Sequence, residues 1–173
     1  MEEFTLSTLA EITRMPKRSL QLWADAGVIK ANPSTMREGS GVHRKFKREE
    51  AIVACIVGPF AKQKMAIGAL EQVGDAVRRY LRLPREMDGV RRAAANDDGK
   101  NYYLVVDWIA DKSGGGLSPH SFNLVSDTPK RNFSDVVGNT VHVWRGDKGV
   151  DIMPIKIDIV PLNEVLRSLP QES

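Results

Sequence analysis

The chain has 173 residues, 42% of them apolar, with one cysteine and a formal net charge of +3. That length holds one compact domain or two small ones, the apolar fraction excludes global disorder, and no apolar run approaches the roughly 20 residues that span a bilayer. Cys55 alone excludes an intrachain disulfide, and the start Met1-Glu2-Glu3-Phe4 lacks the basic-then-apolar pattern of a secretory leader, so the expected compartment is the cytoplasm.

Thr5-Leu6-Ser7-Thr8 offers helix caps, and Leu9, Ile12 and Met15 follow at helical spacing. Pro16 is tolerated in a first turn, so a second helix starts there. Leu20, Trp23 and Ala24 mark its inner face, with Leu22 and Ala26 widening the stripe, and Gly27 stops it. Val28 to Ser40 is irregular, and Val42 to Lys47 reads as a short strand paired across that loop. A third helix opens at Lys47 to Glu50, with Gly58-Pro59 interrupting or kinking it. Met65 to Leu83 reads as a fourth, with Met65, Ile67, Leu70, Val73, Val77 and Leu81 on one side. Arg78, Arg79 and Arg82 in its last turns favour the helix C-terminus electrostatically, with DNA contact as the lesser reading.

Pro84 ends that helix, and the polar stretch 84–100 with its Asn96-Asp97-Asp98-Gly99-Lys100 loop signal reads as a linker. Beyond it the character changes. Tyr102 to Ile109, Ser121 to Ser126, Thr140 to Trp144 and Ile155 to Ile159 are strand-like, with Ser113 to Gly116 as a turn. In the last strand Ile155, Ile157 and Ile159 alternate with Lys156 and Asp158. Pro161 then starts a closing helix with Leu162, Val165, Leu166 and Leu169 on one face, read as sheet-covering core. The expected fold class is α+β: residues 1–83 as a four-helix unit, 84–100 as linker, and 101–173 as a small β-rich domain with a C-terminal helix.

The charge is uneven. Residues 1–100 carry 18 Lys/Arg against 13 Asp/Glu, and residues 101–173 carry seven against nine, which suggests an anionic partner for the front half. The cations cluster where DNA would need them. A helix entering the major groove requires short polar or basic side chains near its N-terminus, and Lys17, Arg18, Ser19 and Gln21 meet that need while Leu20 and Trp23 face inward. Arg and Lys pair with guanine edges, Gln with adenine. His43, Arg44, Lys45 and Lys47 lie beyond a glycine-rich tip, where Gly39 and Gly41 let the backbone turn close to phosphates.

Three pieces together, Met15 to Trp23, Asp25-Ala26-Gly27-Val28-Ile29 and Gly41-Val42-His43-Arg44-Lys45-Phe46, resemble the winged helix-turn-helix of MerR-type transcription regulators, a fold shared with excisionases and phage regulators. The resemblance covers about residues 4–80. It implies that Arg18 sits on the recognition helix against DNA, that Arg44 is the wing arginine with Lys45 beside it, and that Trp23 packs between helices. MerR activators usually continue into a long dimerisation helix. Here Pro84 cuts that helix short and a β-rich segment follows, while the lack of further cysteines argues against a metal sensor.

The bland readings stay beside these. Lys17, Arg18 and Gln21 also suit a solvated helix face, and the basic run 43–48 also suits a guarded edge strand. Cys55, among Ile52, Val53, Ile56 and Val57, reads as a small buried hydrophobe. His43, His120 and His142 lack zinc spacing, so no metal or cofactor is expected. His120 with Ser118 and Ser121 forms no nucleophile-elbow sequence, so the protein is not expected to be an enzyme. Asp107, Asp111, Asp127 and Asp135 read as solvated acids, and His142, Trp144 and Arg145 as part of a half-buried strand. The expected function is a bacterial or phage-derived regulator that binds double-stranded DNA as a homodimer. An excisionase-like architectural factor is the nearer alternative, and a protein- or ligand-binding module on a winged fold is the farther one.

Overall fold

The computed structural model describes residues 2–35, 44–110, 117–127 and 156–170. It is α+β, with helices and two small antiparallel sheets. The first helix, α1 (Leu6–Thr13), starts at Thr5, whose Oγ1 accepts the Thr8 amide at 3.2 Å, a side-chain cap that satisfies one of the helix's orphan donors. Leu9 and Ile12 face inward and Arg14 closes the helix in the left-handed region. The second helix, α2 (Lys17–Asp25), opens after Pro16, whose carbonyl accepts from Ser19 and Leu20. Leu20 and Trp23 are buried, as expected, but Leu22 is 54% exposed and does not belong to the inner stripe. At helical pitch it falls on the outward face, one turn after Arg18. Gly27 ends the turn at φ 81°, a conformation side chains rarely adopt, and delivers Val28 and Ile29 into the core.

The strand expected at Val42 to Lys47 is described from Lys45 to Lys47 (β2). It pairs antiparallel with β1 (Glu3–Thr5), with Phe4 opposite Phe46. Both phenylalanines are buried, and that apolar pair fixes the register. From the preceding loop, the Asn32 amide donates to the Lys45 carbonyl at 2.7 Å. The next helix, α3 (Arg48–Lys62), runs unbroken through Gly58-Pro59, against the expected interruption. Proline removes one helical bond and costs about 3 kcal/mol, but Pro59 lies in the last turns and the burial of Val57 and Phe60 around it offsets the loss. Next comes α4 (Ile67–Leu81), with Leu70, Val73, Val77 and Leu81 inward; Ile67, at its first position, is 45% exposed.

The stretch expected as a linker holds a helix, α5 (Pro84–Ala95). Proline at its first position, Glu86 in the first turn and Arg92 in the last all suit a helix. Its inward stripe is only Gly89, Val90 and Ala93, too sparse to stand out in the sequence. The second sheet has the order β4-β3-β5, with β3 (Tyr102–Ala110) central between β4 (Leu117–Ser126) and β5 (Lys156–Pro161). Val106 stands opposite Phe122 on one side and Asp158 on the other. This face meets the helices: Trp108 packs edge-on against Phe60 at 5.8 Å, and Tyr80 against Phe122 at 6.3 Å. Lys156 and Asp158 therefore share the helix-facing side with Val160, while Ile157 and Ile159 stand half-buried on the other, the reverse of the expected alternation. Asp107, read as a solvated acid, is fully buried on that second side. The closing helix α6 (Leu162–Val165) is short, but Leu162, Leu166 and Leu169 are buried as expected. The Thr140 to Trp144 strand, the Ser113 to Gly116 turn, Asp111 and Asp135 lie outside the described residues.

One buried cluster runs from Phe4 and Trp23 through α3 to Trp108 and Leu162. Cys55 sits within it, 3% exposed, and burial pushes its thiol up to about 12. At pH 8 about one such thiol in ten thousand is ionised, against roughly a quarter of an ordinary thiol near 8.5. Iodoacetamide should therefore label the native protein at least a hundredfold more slowly than the urea-unfolded chain. The native rate should still be climbing at pH 10. A native rate that levels off near pH 8.5, followed by mass spectrometry, would put Cys55 in water instead.

Candidate nucleic-acid interface

Amphipathic packing decides which side of α2 is left outward. With Leu20 and Trp23 inside, Lys17, Arg18, Gln21, Leu22 and Asp25 are exposed and Ser19 is half-buried. In β2 the period of two does the same job: Phe46 points into the core, and Lys45 and Lys47 point out. Two ion pairs tie this cationic strand to its surroundings. Arg44 Nη1 lies 2.6 Å from Asp25 Oδ1 at the end of α2, and Lys45 Nζ lies 2.9 Å from Glu3 Oε2 on β1. Arg48 pairs with Glu2 at 2.8 Å, and Lys17 donates to Ser7 Oγ at 3.1 Å. Arg18 and Lys47 make no ion pair among the described residues.

Seven of the eight residues singled out in the sequence are described, four on α2 and three on the segment 44–47, and the Arg44–Asp25 pair joins that segment to the C-terminal end of α2. His43 lies outside the described residues, as do Gly39 and Gly41. Six cations, Lys17, Arg18, Arg44, Lys45, Lys47 and Arg48, face three acids, Glu2, Glu3 and Asp25. The proximity of these acids follows from the β1–β2 pairing and from the Arg44–Asp25 pair, neither of which is a local feature of the sequence.

Behind this face is a joint that the sequence reading missed. Arg78, expected at a helix end as a compensating charge, is 7% exposed and bonded inside. Its Nε donates to Glu50 Oε1 at 2.7 Å, and its Nη2 donates both to Glu50 Oε2 at 2.8 Å and to the Val28 carbonyl at 2.7 Å. Its Nη1 reaches Asp75 Oδ1 at 2.8 Å. Glu50 Oε2 also accepts the Lys30 amide at 2.7 Å. Asp75 pairs with Lys30 Nζ at 2.8 Å, and that ammonium first, with Arg78 after it, holds the Asp75 carboxyl below its usual range. Gly74 closes the joint: a Cβ there would lie 2.6 Å from the Val28 carbonyl oxygen. An interior glycine in an otherwise apolar helix pattern was the one sequence signal for this close approach. The segment leaving α2 is thereby fastened to α3 and α4 by bonds that admit little play.

Among the described residues, no group of three or more His, Cys, Asp or Glu side chains is placed to hold a metal ion, and no helix is long and apolar enough to cross a membrane. The chain matches no protein-family model, and no curated protein matches it.

Proposed function

We propose that this protein binds double-stranded DNA sequence-specifically as a transcriptional regulator with a MerR-like winged helix, α2 entering the major groove and the segment 44–47 lying along phosphates. The observation that carries this reading is the outward face of α2, with Arg18 and Gln21 exposed and the C-terminal end of the helix joined to the cationic segment 44–47 by the Arg44–Asp25 pair. That face is free of the β3–β5 sheet, which packs instead on α3, α4 and α5. A helix of nine residues held from behind by Leu20 and Trp23 can present three or four side chains to base edges. Arg18 suits a guanine and Gln21 an adenine.

The ion pairs do not obstruct this. Arg44–Asp25 and Lys45–Glu3 are partly exposed, and surface pairs of this kind are worth about 0–1 kcal/mol each. Exchanging the carboxylate for a phosphate releases counterions from the duplex, so each phosphate neutralised adds about 0.9 to the salt slope. The acids leave the free face only modestly positive, and breaking their pairs costs little against the counterion release that phosphate contact brings. A single module of this size gives limited specificity, so the reading includes a homodimer on a repeated or palindromic site.

Anisotropy titrations of the full chain, against duplexes enriched from a random library and a scrambled duplex, test the proposal across a salt series. The enriched duplexes should bind far more tightly, with affinity falling steeply as salt rises. Arg18→Ala should weaken the enriched sites by about 1–3 kcal/mol and the scrambled duplex by much less, relaxing the preference. Lys45→Ala should weaken every duplex alike and lower the salt slope by about one. Equal, weak binding of the wild type to all duplexes would overturn the reading.

A further inference from the structure

We infer that Leu22 is a specificity-determining residue that reads the 5-methyl group of a thymine, an assignment that rests on the DNA-binding reading above. Leu22 is 54% exposed on a helix whose other two large apolar residues, Leu20 and Trp23, are buried. A solitary surface leucine needs no explanation by itself. This one stands one turn after Arg18 and one turn before Asp25, with Gln21 adjacent, so it is the only apolar side chain on the polar outward face of α2.

The charges around it select the occupant. Arg18 lies one turn before it on the same face, Lys17 opens the same helix, and Arg44 bonds at 2.6 Å to Asp25, one turn after it. That surround suits a polyanion better than the apolar face of a second protein. Within the major groove the thymine methyl is the one apolar feature a base pair offers. A side chain flanked by groups suited to guanine and adenine therefore meets a hydrophobic partner there only at thymine. Leucine has no donor or acceptor to leave unpaired in that position, whereas burying it against the edge of a G·C pair would cover polar atoms without bonding them.

Replacing thymine by uracil removes that methyl and nothing else. The test scans uracil through each thymine of an enriched duplex, titrating wild type and Leu22→Ala. Burial of one methyl corresponds to about 0.8 kcal/mol, or roughly a fourfold change in affinity. At one thymine in each half-site, uracil should weaken the wild type about fourfold and leave Leu22→Ala unchanged, with both proteins binding the uracil duplex alike. Because Leu22 lies on the surface, the variant should keep the wild-type circular dichroism spectrum. Tight, selective binding with no such thymine, or with equal thymine-to-uracil ratios for both proteins, overturns the assignment while leaving DNA binding standing. A Leu22→Ala protein that changes oligomeric state in sedimentation makes the residue a subunit contact instead. Failure of the wild type to select any duplex overturns this assignment together with the reading beneath it.

Discussion

Arg78→Met should lower the stability of the protein by about 3–5 kcal/mol, read as a fall in the urea midpoint at unchanged slope. Methionine fills a similar volume, so the loss is not chiefly a cavity. It comes from leaving the Glu50 carboxylate, 8% exposed, without the guanidinium that bonds both its oxygens. The Val28 carbonyl loses its donor at the same stroke. Removing one partner of a buried pair leaves an uncompensated charge, whereas removing both can be nearly neutral. Arg78→Met with Glu50→Gln should therefore recover at least half of the loss, because glutamine can still accept the Lys30 amide and carries no charge. Arg78→Lys should recover less. An ammonium keeps the charge but cannot reproduce the fork that spans Glu50, Asp75 and Val28. A loss below 1 kcal/mol for Arg78→Met would mean that solvent reaches the joint and screens it.

The same residue shows where sequence reasoning stops. The helix pair and the outward cations of α2 were legible because each follows from local period: what a helix does not bury it must expose. Arg78 reads as a helix-end charge because the partners that draw it inward, Glu50 and the Val28 carbonyl, lie 28 and 50 residues away along the chain. Nothing local distinguishes a guanidinium that goes inward from one that stays out. Leu22 was assigned to the core on apolarity alone, although Leu20 and Trp23 already fill the inner face. In α5 the small residues Gly89 and Ala93 do the packing, so the apolar pattern is faint and the polar residues suggested a linker. The partner strand β1 was not legible because it has only three residues and a single buried side chain, Phe4, to announce it. The charge of the candidate interface was likewise only half legible, since Asp25, Glu3 and Glu2 join it through tertiary contacts.

Trp108 carries the second large effect, and its consequence concerns how the two parts of the chain act together. The indole is fully buried on β3, edge-on to Phe60 of α3, with Lys156 Nζ 5.6 Å from the ring centroid. Trp108→Ala should cost about 3–5 kcal/mol, the lost apolar burial and the cavity adding together. Trp108→Phe should cost far less, about 1 kcal/mol. The Trp108 Nε1 group is buried without a hydrogen-bond partner among the described residues, and an orphan donor of this kind costs about 1–3 kcal/mol. Phenylalanine gives up some contact area but also removes that penalty, while keeping the aromatic edge against Phe60. If Trp108 fastens the sheet to the helices, wild-type unfolding should be one transition, with far-UV circular dichroism and tryptophan fluorescence falling together in urea. In Trp108→Ala the sheet loses its hold on α3, and the two signals should separate. Because α2 rests on Leu20, Trp23 and the Arg78 joint rather than on the sheet, the DNA affinity that the proposed function requires should, for that variant in the absence of urea, stay within about threefold of wild type. Affinity lost in proportion to stability would show instead that α2 depends on the sheet for its position.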